Sequence, residues 1–463
     1  MGAADMAEQQ SIIKVIGGRP LHGTAKIPAA KNSVLPLLAA ALLCRSPVCL
    51  RAVPRLSDVD GCLTLLRGAG LDAQWQGGDV VVSGTPRNST LPGQTAAQMR
   101  ASILFCAPLL ARLGRAETVL PGGCRIGARP IDLHLEGLRQ MGVQELDAGA
   151  DRLVLTAPAG LQGAEITLRF PSVGATETLL LAAACARGTT LLRGAAREPE
   201  IADLAAFLNR CGGQVEGAGS ATLRIEGRRG LSGCVFAPLP DRIFAATLAC
   251  AAAAAGGRVE LAGCPPALYA PVLEILEQMG CWVERGAERA QIARFGRLYG
   301  AGRVFTGVYP GLATDAAPLL AAVMLCAQGS SSIEDVIFER RFACAEGFLR
   351  LGGNVKVEGR IFHAEPTNPA AGLHGAAGCA GSAGRGRAGA GGTCSAGAKR
   401  NLRNRVHRPG ICRFYRDFGA SWGTNCAGNP AQKHPREKNT LKKVILSCNR
   451  SQKMIRYSYI VVP

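Results

Sequence analysis

The stretch Leu138-Arg139-Gln140-Met141-Gly142-Val143-Gln144-Glu145-Leu146 decides the fold, because its pattern returns at a regular interval. A leucine closes an apolar helical face, and a glycine four residues on can adopt the left-handed conformation that ends a helix. Residues 143–146 then read as a short strand. The same Leu- or Phe-x-x-x-Gly signature stands at residues 66–70, 208–212, 276–280 and 348–352, and short strands are expected over 214–216, 281–283 and 354–357. The five glycines are spaced 72, 70, 68 and 72 residues apart. A period of about 70 residues is too long for a solenoid repeat and suits a small α/β subdomain used several times.

At 463 residues the chain has room for two or three domains with sizeable cores. No apolar stretch reads as a membrane span: the alanine-rich run 245–256 is flanked by Arg242 and Arg258 and is too short. The opening residues, MGAADMAEQQ, lack the basic-then-apolar order of a signal peptide, so a cytoplasmic location is expected. The 18 cysteines include no Cys-x-x-Cys pair, which argues against structural zinc and for reduced thiols in core positions. The net charge of +19 belongs to one end: residues 372–463 hold 17 Lys/Arg against only Asp417 and Glu437. That segment opens on low-complexity text, GAAGCAGSAGRGRAGAGGTC, and reads as a flexible basic tail. Its few scattered aromatics and lack of a recognisable module argue against nucleic-acid binding.

Chemistry-bearing residues gather at turns. The densest is Pro121-Gly122-Gly123-Cys124-Arg125-Ile126-Gly127-Ala128-Arg129-Pro130-Ile131-Asp132-Leu133-His134. Two glycines permit a sharp turn before Cys124, and the neighbouring arginines favour its thiolate. Cys124 can be a nucleophile, a proton donor or part of an anion site; equally, the segment can be a plain turn. Lys31 and Asn32 precede a helix expected over 37–44, where they can meet an anion or serve as a solvated lysine beside an N-cap. Phe170-Pro171-Ser172-Val173-Gly174 can present backbone amides to a ligand or simply start the next helix. Asp241 and Arg242 can form a helix-start ion pair or equally belong to a site. Thr314 and Asp315 follow a Pro-Gly turn, where either can cap a helix or Asp315 can serve as a site carboxylate. Residues 339–342, Glu-Arg-Arg-Phe, read as a charged cluster that a surface face would explain.

Taken in order, eight segments across residues 13–360 resemble one family. They are GGRPLHGTAKIPAAKN, MRASILFCAPLLARLG, LPGGCRIGARPIDLHLEGLRQMG, FPSVGATETLLLAA, AAREPEIADL, PDRI, YPGLATD and IFERRF. The family is the UDP-N-acetylglucosamine 1-carboxyvinyltransferases, enolpyruvyl transferases that begin peptidoglycan precursor synthesis. The resemblance implies a two-domain inside-out α/β barrel, each domain built from three βαβαββ units. Residues 1–22 with 239–371 would form one domain, and 23–238 the other, which carries the Cys124 loop. It further implies transfer of the enolpyruvyl group of phosphoenolpyruvate to the sugar 3′-hydroxyl by addition and elimination, with release of phosphate and no metal or other cofactor. In that scheme Cys124 is the proton donor on a closing loop and can form a covalent adduct, and Asp315 is the carboxylate near the 3′-hydroxyl. Lys31, Asn32, Arg100 and Arg129 attend the anionic ligands. Pro130, Ile131, Asp132, Leu133, Phe170, Pro171, Ser172, Val173 and Ile337, with Arg129, line the nucleotide-sugar. The sister enzyme acting on shikimate 3-phosphate shares the fold but leaves Gly-Gly-Cys and Ala-Lys-Asn unexplained.

The chain departs from the family pattern at Ala29, Phe244, Ala246 and Arg340, where glycine, glutamate, glycine and asparagine are usual. The larger departure is the sixth repeat. Its glycine is due near residue 422, yet no amphipathic helix precedes that point, and the family's Asp-Leu-Arg and Arg-Gly-Tyr segments are missing. Back-translated and read one nucleotide later, residues 407–426 can yield an Arg-Gly-Tyr segment and an amphipathic helix. Trp422 followed by Gly423 must then read as glycine, at the position the period demands. A frameshift around residues 365–385 is therefore expected, and with it impaired folding and activity.

Overall fold

The computed structural model describes residues 12–120, 130–147, 152–366 and 444–447. The period seen in the sequence appears as five α/β units. In the first, α1 (Lys31–Ala40) leads to strand Val48–Leu50, then to α2 (Ser57–Gly68) and the hairpin Asp72–Gln76 with Asp79–Ser83. The second has α3 (Gly93–Gln98), α4 (Cys106–Leu113) and α5 (Asp132–Gln140) beside strands Arg115–Val119, Gln144–Asp147 and Arg152–Thr156. The third alternates strand Glu165–Thr167, α6 (Val173–Ala183), strand Thr189–Arg193 and α7 (Pro199–Arg210) before strands Gln214–Glu216 and Thr222–Glu226. The fourth holds α8 (Arg242–Ala255), strand Gly257–Ala262, α9 (Ala270–Gln278) and strands Trp282–Arg285 and Arg289–Arg294. The fifth runs from strand Gly302–Phe305 through α10 (Ala317–Met324), strand Ser331–Glu334 and α11 (Ala345–Arg350) to strands Val355–Glu358 and Ile361–Ala364.

In each four-stranded sheet the first two strands are parallel and the last two form an antiparallel hairpin, in the order third, fourth, second, first. The first and fourth units receive their first strand from far along the chain. Val235–Phe236 completes the first, and Leu21–Lys26 completes the fourth. The backbone therefore crosses between units at two adjacent connections. These pair with each other: Ala30 N–H donates to the Leu239 carbonyl and Asp241 N–H to the Pro28 carbonyl, both at 2.8 Å.

All five signature glycines are left-handed, with φ of +99° at Gly70, +88° at Gly142, +90° at Gly212, +98° at Gly280 and +86° at Gly352. In every case the residue after the glycine donates its N–H to the carbonyl of the signature leucine or phenylalanine, at 2.9 to 3.1 Å. This is a Schellman closure, and the side chains of Leu66, Leu138, Leu208, Leu276 and Phe348 are all buried.

The helices α1, α6, α8 and α10 are apolar around most of their circumference and lie in the core, whereas α2, α5, α7 and α9 are amphipathic. Strands such as Thr222–Glu226 alternate exposed and buried residues, so their sheets cover the outside. The helices are inside and the sheets outside. Buried apolar residues form two clusters, one spanning residues 34–231 and one joining Ala25 and Ile27 to residues 245–364. Each leucine so buried contributes about 1.5–3 kcal/mol.

Two expectations need correction. The helix expected over 37–44 starts six residues earlier, at Lys31, and gives way to a 3-10 turn at Ala41–Leu43. Pro36 lies inside α1, where burial of residues 33–40 outweighs the backbone hydrogen bond that proline removes. Within the basic tail, Val444–Ser447 pairs antiparallel with Ile12–Val15. Among the described residues no helix is long and apolar enough to cross a membrane.

Candidate active site

The candidate residues fall into two groups joined by α6. The first surrounds the paired connections. Lys31 opens α1; its backbone N–H donates to Asp241 Oδ2 at 3.3 Å, and its ammonium pairs with Asp58 at 3.3 Å. Asn32 is exposed on the same turn, and the N-cap is Ala30, so Asn32 is not the cap that the sequence allowed. Asp241 caps α8, accepting from the N–H groups of Ile243 and Phe244 at 3.0 and 2.8 Å. Arg242 does not pair with Asp241. Its Nε donates to Glu200 Oε1 at 2.9 Å, and both side chains are almost fully buried. Asp203 joins this group by accepting from Leu239 N–H at 3.2 Å and bonding Ser33.

Burial pushes up the carboxyl pKa values of Asp203, Glu198 and Asp241. Glu177, on the buried face of α6, is raised furthest, first by burial and then by the charges of Glu200 and Glu198. The carboxyls at the start of α7 thus disfavour ionisation of Glu177 on α6.

Asp315 lies in the 3-10 turn Thr314–Ala316 that precedes α10. Neither Thr314 nor Asp315 is a cap: the residue before the turn is Ala313, which offers no side-chain bond. Arg341 holds this turn. Its guanidinium pairs with Asp315, and its Nε donates to the Thr314 carbonyl at 2.6 Å while standing 3.9 Å from Asp335. Asp335 is fully buried and accepts from the N–H groups of Ile337 and Phe338 at 2.8 and 2.7 Å, which sets Ile337 beside the same turn. The cluster at 339–342 is therefore only partly a surface face. Glu339 pairs with Arg360 outside, while Arg341 turns inward. Asp315 also lies near enough to Arg242 to favour its charged form.

The second group gathers at the starts of α5 and α6. Arg100 Nη2 donates to the Pro130 carbonyl at 3.3 Å. Ile131 and Leu133 are half-buried, and Asp132 pairs with Arg169, which also bonds Glu136 at 2.8 Å. Phe170 is exposed, Pro171 and Val173 are half-buried, and Ser172 caps α6 by accepting from Ala175 N–H at 3.4 Å. The starts of α5 and α6 thus bring two positive helix-dipole ends near one another, an arrangement suited to anionic ligands. Cys124 and Arg129 lie outside the described residues. The described thiols behave as core groups: burial pushes Cys106 up to about 12. Among the described residues no three His, Cys, Asp or Glu side chains are placed to hold a metal ion.

Residue patterns alone missed Glu200, Asp203 and Asp335. Their signal was present in the Glu200-Ile201-Ala202-Asp203 and Glu334-Asp335 segments, but nothing local says which of several adjacent charges turns inward.

Comparison with known proteins places this architecture. The family model of EPSP synthase (3-phosphoshikimate 1-carboxyvinyltransferase) matches residues 15–380. The enolpyruvyl transferase NikO from Streptomyces tendae superposes with a TM-score of 0.67 at 24% identity, covering 77% of this chain and 84% of that one, a likeness of fold. The chain belongs to the carboxyvinyl transferase family. Within it, the chain is 42% identical over 346 residues to UDP-N-acetylglucosamine 1-carboxyvinyltransferase of Nitratidesulfovibrio vulgaris, covering 74% of this chain and 82% of that protein. It is 40% identical over 352 residues to the same enzyme of Finegoldia magna, covering 75% and 83%.

Proposed function

We propose that this chain is built to transfer the enolpyruvyl group of phosphoenolpyruvate to the 3′-hydroxyl of UDP-N-acetylglucosamine, releasing phosphate, in the cytoplasm and at the start of peptidoglycan precursor synthesis. The observation that carries this reading is the Asp315 turn. A carboxylate held by a buried arginine, close to Arg242, can accept a proton from a hydroxyl while cations compensate the developing charge. Cys124 supplies the proton to the methylene carbon. Lys31, Asn32, Arg100 and Arg129 hold the phosphate and carboxylate groups. Residues 130–133 and 170–173, with Ile337, line the nucleotide-sugar. Two domains are proposed, divided at the paired connections near residues 28–30 and 239–241 and not at 22–23, because strand Leu21–Lys26 lies in the sheet and core of the fourth unit.

We further propose that the text is out of register with its gene after a point around residues 365–385, and that the sixth unit is lost as translated. Resequencing the locus tests this; an uninterrupted frame whose codons exclude the Arg-Gly-Tyr reading overturns it. The purified full chain should release phosphate slowly or not at all from the two substrates, and turnover at the rate of an intact relative would refute the loss. The site reading is tested apart from turnover. Incubation with phosphoenolpyruvate should add its mass to the full chain, and Cys124→Ser should abolish the adduct; an adduct on another residue would reassign the donor.

A further inference from the structure

His134 is the one buried imidazole among the described residues that the reaction scheme leaves idle. It sits in the first turn of α5, directly after the 130–133 segment, and is 3% exposed. Among the described residues its buried Nδ1 has no hydrogen-bond partner, so no described group makes a polar contact on that side. Its Nε2 lies 2.9 Å from where a Cβ on Gly174 would stand, in the first turn of α6. The ring edge therefore occupies the side-chain position of Gly174. Arg100 and Asp132 are the charged groups that act on it. Burial, aided by Arg100, lowers its pKa to about 4 and keeps it neutral at physiological pH, with Asp132 opposing.

We infer that His134 is a positioning residue for the nucleotide-sugar site: its ring, seated in the space that Gly174 leaves open, holds the starts of α5 and α6 in register. The inference rests on the proposed assignment of 130–133 and 170–173 to that ligand. Any side chain at 174 larger than hydrogen drives the imidazole away, and any smaller side chain at 134 lets the two helix starts drift. Ligand groups bridging both N-termini feel either change as misplacement of fixed N–H donors, where a shift of about 1 Å can cost up to about 100-fold.

The test measures UDP-N-acetylglucosamine binding to the full chain by calorimetry, with no phosphoenolpyruvate and no turnover required. His134→Ala and Gly174→Ala should each weaken binding about tenfold or more. The double variant should bind no more weakly than the worse single, because the new methyl enters the space the ring has left. His134→Gln, whose amide reaches the same position, should bind within about threefold of the parent, and phosphoenolpyruvate adduct formation should be unchanged throughout. Thermal unfolding of each variant checks the fold. If His134→Ala does not fold, Gly174→Ala should weaken binding in the His134→Gln background as much as in the parent, and a Gly174→Ala change without effect in both overturns the inference. Singles that bind like the parent, or effects that multiply in the double variant, overturn the inference. A parent chain that binds no UDP-N-acetylglucosamine instead overturns the ligand assignment, and the inference falls with it.

Discussion

His134 and Glu177 carry opposite pH signatures, and each can be isolated by one substitution. The His134 pKa of about 4 is below its ordinary value of 6.5, so the unfolded chain binds more protons between those limits. The contribution is complete above pH 6.5 and is lost as pH falls toward 4. Between pH 7 and 5, denaturant unfolding of the parent should lose about 2 kcal/mol more than His134→Gln. Glu177 is raised, so its contribution is present in acid and lost as pH rises through its folded pKa. Glu177→Gln should flatten that fall, and an unchanged profile would mean that the carboxyl is ionised in the fold. At Arg341 the expectation concerns both stability and chemistry. Arg341→Ala leaves Asp335 buried beside an unheld Asp315 turn, and should destabilise by about 3 kcal/mol in the same assay.

At the scale of elements, the signature glycine at 212 is a backbone requirement and not a packing one. A Cβ at Gly212 would meet nothing within 4 Å, yet φ there is +90°. Gly212→Ala should therefore cost about 1–2 kcal/mol through strain alone, and a neutral result would mean that the closure tolerates a non-glycine residue. This is why the unit boundaries were legible from the sequence: a helix end that needs a left-handed residue writes a glycine, and the buried position four residues earlier writes Leu or Phe. The start of α1 was not legible for the converse reason. Ala30 caps nothing with its side chain, and Pro36 read as a boundary although tertiary burial carries the helix through it. The strands over 214–216 and after Gly142, Gly280 and Gly352 start within one residue of expectation, since a hairpin must follow a closed helix.

At the scale of the whole molecule, the Glu200–Arg242 pair bridges the two sides of the paired connections. Removing one partner leaves a buried charge uncompensated. Arg242→Met alone should cost about 3–5 kcal/mol, and the double change to methionine should restore most of it. Additive losses in that cycle would mean that the pair does not couple the two sides.

The sequence by itself determined the repeat, the helix ends, the confinement of the basic charge to the tail and the family. Each of these rests on local backbone chemistry or on residue order. Tertiary structure alone decided that Arg242 pairs with Glu200 and not with Asp241, that Arg341 turns inward while Glu339 stays outside, and that His134 fills the place of a side chain at Gly174. Those outcomes depend on which groups lose their water when distant units close on one another, and the cost of an unpaired buried charge is set by neighbours that no local stretch contains.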